Sequence, residues 1–233
     1  MTTTVELPAL VKTKDVAPTA LRPDDIFLRW ILPEIFHELP INVKDDDAAV
    51  QLLEDLADKV LPGAGYDEKT KFGVMCALAI DGLPAAGVEY AAVCLTVSGE
   101  TPCIATLFVS FMDSPEAMGV SAIVKEISSS LHLAERGEVS IVELPCGAAV
   151  ACIGNREAEI PGELVDGEQG VALPTSYIQV YVPLPNDTTV LMEISTPTMS
   201  GWEVFSTVFG NIVSSIRLFK ADGSPLITSS GGA

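Results

Sequence analysis

Two histidines and a scatter of carboxylates are the residues of this chain whose types could do chemistry. His37 stands beside Glu38 in an aromatic-rich segment, and His132 lies near Glu135. An imidazole beside a carboxylate can act as a general base, but only with a nucleophile or substrate in reach. No G-x-S-x-G elbow accompanies either one. Glu157, Glu159, Glu163, Asp166 and Glu168 could gather a hard cation. They lack the spacing of a calcium loop and read as a solvated acidic loop. Gly63-Ala64-Gly65 is followed by neither the lysine of a phosphate loop nor the third glycine of a dinucleotide turn, and reads as a turn. Asn186-Asp187-Thr188 has the form of a glycosylation acceptor, without a secretory signal to make it relevant. The sequence thus assigns no catalytic, cofactor-binding or metal-binding residue, and it points away from an enzyme.

The five cysteines are Cys76, Cys94, Cys103, Cys146 and Cys152. Their number is odd and none form C-x-x-C, so neither a zinc ribbon nor a redox pair is indicated. Cys94 and Cys103 fall on adjacent expected strands, where a cross-strand disulfide is conceivable. The favoured reading keeps all five as small buried hydrophobes in a reducing cytoplasm.

Charge narrows the partners. The chain carries 32 acidic and 13 basic residues, a formal net charge of −19. Phosphate backbones and anionic membrane surfaces are repelled, which excludes nucleic acid. A basic protein segment or a cation remains allowed, and solubility alone accounts for much of the acidity. No run is long and apolar enough for a membrane span, and Met1 to Leu21 reads as no targeting segment. The expected location is the cytoplasm. Nearly half of the 233 residues are hydrophobic, enough for one real core without staples.

The elements follow from periodicity. Residues 1–23, punctuated by prolines, read as a flexible lead-in to a single domain over 24–220, with a disordered tail at 221–233. Ile26 to Pro40 reads as extended, because Pro33 interrupts its apolar run. Asp45, Asp46 and Asp47 open a helix that Pro62-Gly63 ends. Residues 72–80 fit either a helix or a buried strand, Gly73 weakening the helix. Gly87 to Val97 and Cys103 to Met112 form a hairpin about Ser98-Gly99-Glu100-Thr101. A third helix starts at Ser114-Pro115, with Val120, Ile123, Val124, Ile127 and Leu131 on its buried face. Val139 to Leu144 and Ala148 to Ile153 form a second hairpin, followed by an acidic loop over Asn155 to Gly170. Tyr177 to Pro185 and Thr189 to Pro197 form a third. A closing helix runs from Ser200 to Phe219, with Ser200 and Glu203 as a capping box and Trp202 as the anchor of its apolar stripe. Hairpins with helices on their faces make an α+β chain, not a doubly wound nucleotide fold.

The combination of Phe36-His37-Glu38-Leu39-Pro40, Glu143-Leu144-Pro145-Cys146-Gly147, Tyr181-Val182-Pro183-Leu184-Pro185 and Ser195-Thr196-Pro197, followed by Trp202 to Phe209 and Ile212, resembles a group of uncharacterised actinobacterial proteins. Over residues 87–219 that group is in turn similar to the PsbP-like, or Mog-type, sandwich fold. Proteins of that fold include a photosystem extrinsic subunit, a Ran-binding protein, secretion chaperones and lipid-binding lipoproteins. The resemblance implies a binding scaffold without a fixed ligand. The expected function is a non-enzymatic protein-binding module, adaptor or chaperone-like, with a small-molecule or lipid-binding domain as the alternative. A protein with a basic segment is the expected partner and a small hydrophobic ligand the alternative; no cofactor is expected.

Overall fold

A computed structural model describes residues 10–16, 26–41, 43, 45–80, 82–114, 119–160, 170–220 and 222–226. Alternating buried and exposed residues from Ile26 to Leu32 make strand β2 (Ile26–Pro33), which pairs with β1 (Leu10–Val16) and β10 (Arg217–Lys220) in a small antiparallel sheet ordered β1-β2-β10. A larger sheet holds β3 (Phe36–Glu38), β4 (Val88–Ser98), β5 (Thr101–Asp113), β6 (Glu138–Leu144), β7 (Gly147–Ile160), β8 (Val171–Pro183) and β9 (Thr188–Thr196). Its order is β3-β4-β5-β9-β8-β7-β6, and every pair is antiparallel. The α-helices are α1 (Asp46–Val60), α2 (Tyr66–Ile80), α3 (Val120–Leu133) and α4 (Trp202–Ser214). This is the α+β arrangement expected from the hairpins.

Strand periodicity divides the large sheet into two faces. On the first, Ala92, Cys94, Ala105, Leu107, Val109, Val180, Met192 and Ile194 meet Leu28, Trp30 and Leu32 of the small sheet and Phe205, Phe209 and Ile212 of α4. Trp30 is fully buried and stands edge-on to Tyr90, centroids 5.4 Å apart and planes at 81°. That geometry adds about 0.5–1.5 kcal/mol to the area the two rings bury. On the second face, Ala91 and Val93 of β4 pack with Leu53 and Leu56 of α1 and Cys76 of α2. Helix α3 lies against β6, β7 and β8, contributing buried Ile123 and Val124.

Several boundaries differ from the sequence reading. The closing helix stops at Ser214, and residues 217–220 are strand, not helix. Ser215 ends the helix: its hydroxyl donates to the Ile212 carbonyl at 2.6 Å and accepts the Ile31 amide at 2.8 Å. Ile216 and Leu218, both buried, then alternate with exposed Arg217 and half-buried Phe219, a period of two that coincides with helical spacing from Ile212. The capping box does not form. Gly201 is the N-cap without a side-chain bond, and the Ser200 hydroxyl lies 3.3 Å from Cys103 Sγ instead. A Cβ at Gly201 would sit 2.6 Å from the Phe205 ring, so the chain is pressed too close to the core for any larger residue. Strand β7 runs to Ile160 and pairs with β8 from Val171, so the acidic loop shrinks to its tip; residues 161–169, with Glu163, Asp166 and Glu168, lie outside the described residues. Leu10–Val16, inside the expected lead-in, forms β1. In the expected tail, the Leu226 amide bonds the Leu218 carbonyl. Helix α3 begins at Val120, and Pro115 lies outside the described residues.

Trp202 is only partly buried at the edge of the core, so Trp30 is the aromatic anchor. Trp30→Ala is expected to cost roughly 3–5 kcal/mol by urea unfolding, and Trp202→Ala distinctly less. Equal losses would place Trp202 in the core after all.

Candidate functional site

The two histidines that sequence reading singled out for chemistry are not brought together. His37 is on β3, one edge strand of the large sheet, and His132 is on α3, over the opposite edge. His132 is exposed, and its Nδ1–H donates to the Ser128 carbonyl at 2.8 Å, one turn back on its own helix. His37 and Glu38 line a cavity of about 510 Å³ with Phe36, Leu52, Asp55, Lys59, Glu89 and Tyr90. The Tyr90 phenol there is pushed far above its ordinary range, first by burial and then by the Glu38 charge, so it stays a neutral hydroxyl. Among the described residues no three His, Cys, Asp or Glu side chains are placed to hold a metal ion.

The five thiols are buried and unpaired. Cys94 and Cys103 share the first face of the β4–β5 hairpin, but Cys94 stands opposite Ala105 and Cys103 opposite Thr96, a diagonal and not a direct pair. Burial pushes Cys76 and Cys146 up to about 11 and Cys94 to about 12. A thiolate is the reactive form, so these sulfurs are poor nucleophiles at neutral pH.

A polar network sits in the middle of the second face, between the helices that cover its two ends. Register places Glu193 of β9 beside Gln179 of β8 and Phe108 of β5. Arg156 of β7 grips the nearly buried Glu193 carboxylate with both guanidinium arms. Gln179 Nε2 donates to the same carboxylate at 2.7 Å, and the Tyr181 hydroxyl donates to Gln179 Oε1 at 2.8 Å. Arg156 also stacks over the Tyr177 ring, whose hydroxyl donates to the Arg136 carbonyl. Tyr177 crosses β7 at Gly154, where a Cβ would lie 2.5 Å from its hydroxyl. The carboxylate is thus matched to donors, which makes the network a fixed strut. The strand alternation of Tyr177, Gln179, Tyr181 and Glu193 against Val180, Met192 and Ile194 is the sequence signal for it.

The feature that sequence reading missed is the exposed apolar face of the α1–α2 hairpin. Helix α1 is amphipathic as expected: the Asp45 carboxylate caps the Asp47 amide at 3.1 Å, and Leu53, Leu56 and Ala57 turn to the sheet. Residues 72–80 are helix, which decides the open alternative. Glu68 reaches back to the Gly65 amide at 3.0 Å, fixing the start of α2, and the helix formers Met75, Ala77, Leu78 and Ala79 follow. Phe72 to Ile80 contains no charged residue, yet Cys76 alone among the residues of α2 is buried. Val74 and Met75 are each 47% exposed, Leu78 54% and Tyr66 81%. A groove of about 390 Å³ runs between the helices, lined by Val50, Leu53, Ala57, Gly73, Val74 and Ala77. Asp58 of α1 and Lys69 of α2 join across it at 2.7 Å. A helix apolar on all sides is normally covered on all sides. Single exposed hydrophobes are ordinary, but a contiguous group on one hairpin marks an interaction surface.

No family model matches the chain, and no curated protein matches it. Among solved structures it is similar to the Saccharomyces cerevisiae Ran-binding protein Mog1p, at 9% identity and a TM-score of 0.40, over 88% of this chain and 94% of that one. The α+β architecture stands on the strands and helices themselves; a likeness this distant carries no functional conclusion.

The buried thiols set an alkaline limit to stability. In the unfolded chain a cysteine ionises near its ordinary value of 9, while the folded Cys76, Cys94 and Cys146 hold their protons to about 11 or 12. The folded state therefore binds more protons across that interval, and stability falls as pH rises through it. Urea midpoints should stay level from pH 7 to about 8.5 and drop steeply above it, with a shallower drop in Cys94→Ala. A drop of equal slope in that variant would remove Cys94 as a cause.

Proposed function

We propose that this protein is a non-enzymatic, protein-binding module of the cytoplasm that engages its partner through the α1–α2 hairpin. One observation carries the reading: the exposed side of α2, with Val74, Met75 and Leu78, is apolar and is not covered by the described residues. Full burial of such a side chain is worth about 1.5–3 kcal/mol, and roughly half of that remains for a partner to supply. The hairpin is seated on β4 through Leu53, Leu56 and Cys76, so its outer face is held rigid and presents its side chains without prior ordering. The mechanism is capture of a polypeptide, with no bond made or broken.

A second reading keeps one observation of its own. The cavity of about 510 Å³ beside His37 and Glu38 is of a size that accepts a small molecule, and Leu32, Phe36, Leu39 and Leu56 give it apolar walls. It shares α1 with the groove but lies on the other flank of that helix, lined by Leu52, Asp55, Leu56 and Lys59 where the groove uses Val50, Leu53, Glu54 and Ala57.

Photo-crosslinking in the producing cell separates the two. A photoreactive residue in place of Leu78 should give a discrete adduct with another polypeptide. The same residue at Leu133, an isolated exposed leucine at the end of α3, should give none. Absence of an adduct at Leu78, together with a stoichiometric small molecule in native mass spectrometry, would replace this reading with the ligand-binding one.

A further inference from the structure

The apolar face of the hairpin lies among side chains that are predominantly negative. Between residues 45 and 80 the carboxylates are Asp45, Asp46, Asp47, Glu54, Asp55, Asp58, Asp67 and Glu68, against Lys59, Lys69 and Lys71. Lys69 is already engaged by Asp58 across the groove. Glu54 and Asp58 lie on the groove wall itself, and Asp46, Asp47, Asp67 and Glu68 gather in the first turns of the two helices. The floor is shallow where Ala57, Gly73 and Ala77 line it, and a Cβ added at Gly73 would meet nothing within 4 Å. Large apolar side chains can therefore seat between the helices.

We infer that the occupant of this groove is an amphipathic helix of another protein, its apolar stripe flanked by lysines or arginines. The inference rests on the protein-binding reading and names the class of partner. An apolar stripe laid in a groove between two helices is a recurrent mode of peptide recognition, and complementary charge on the rim selects among candidates. The charge also decides against the other occupants. In a two-fold dimer the same patch faces itself, so a second copy would set carboxylate against carboxylate. An anionic membrane carries the same sign as the rim, and an uncharged lipid gains nothing from it. Helices of 15 residues give the groove a length of about 22 Å, which matches a partner segment of about four turns.

The test uses the full chain and a synthetic helical peptide of about 15 residues, with a leucine–alanine stripe and lysines on its flanks. A counterpart carries glutamate in place of every lysine. Fluorescence anisotropy should show the lysine peptide binding about tenfold or more tighter than the glutamate peptide, with salt slowing association more than dissociation. Hydrogen exchange should slow over residues 50–58 and 69–78 of the complex. Val74→Lys, a change at an exposed position on the groove wall, should weaken the lysine peptide about tenfold, and Leu133→Lys should leave it unchanged. Equal binding of the two peptides, no binding, or protection outside the hairpin would overturn the inference. So would a dimer abolished by Val74→Lys, which makes a second copy the occupant, or uptake by phosphatidylcholine vesicles, which makes it a lipid. If the peptide result is negative while the Leu78 photo-adduct persists, the module still binds a protein, of different chemistry. If both are negative, the protein-binding reading falls as well.

Discussion

A seven-stranded antiparallel sheet has two faces to remove from water, and the rest of the molecule is organised by how each is covered. The first face is closed by apolar contact throughout: the small sheet brings Leu28, Trp30 and Leu32 across it, and α4 brings Phe205, Phe209 and Ile212. The second face is closed in three pieces. The α1–α2 hairpin covers β4 at one end, α3 covers β6, β7 and β8 at the other, and the Arg156–Glu193–Gln179–Tyr181 network holds the strands between them. A buried carboxylate is tolerated there only because two neighbouring strands converge donors and hydrogen-bonded neighbours upon it.

Division of the second face has a consequence for function. A helical pair laid over an edge of a sheet needs one apolar side, and α1 has that side in Leu53, Leu56 and Ala57. Helix α2 carries more apolar surface than the contact uses. Its C-terminal half is free of charge on every side, although only Cys76 is buried. Surface of that kind adds nothing to the stability of the isolated chain and costs solubility, which the excess of carboxylates offsets. In the proposed reading the same carboxylates select the partner of the apolar face.

How far the sequence reveals this can be argued from particular elements. Strands β4 and β5 were legible as β-rich runs and β8 and β9 by their period-two alternation, with Gly99 and Asp187 marking the turns, both at positive φ. The helix boundary after Ser214 was not legible, because Ile212, Ile216 and Phe219 satisfy helical spacing while Ile216 and Leu218 satisfy strand spacing. Pairing with β2, remote in sequence, decided between them. The extension of β7 past Asn155 was hidden by its charged residues, which an exposed hairpin arm accepts on both sides. The candidate surface lay in plain view as the uncharged run from Phe72 to Ile80. Sequence reading left that run open between a helix and a buried strand and did not weigh it as exposed surface, since an apolar segment is ordinarily covered by its own chain. The Arg156–Glu193 pair depends on strand register and could be located only once β7, β8 and β9 were aligned.

The central claim is that the outer face of α2 serves a partner and not the fold. Its most direct test is the urea unfolding midpoint of a chain carrying Val74→Ser, Met75→Gln and Leu78→Gln together. Surface changes of this kind stay within about 0.5 kcal/mol each, so the variant should unfold with an unchanged slope and a midpoint close to that of the parent chain. A loss of about 4 kcal/mol or more would mean that these side chains are covered within the folded chain itself, and would contradict the account.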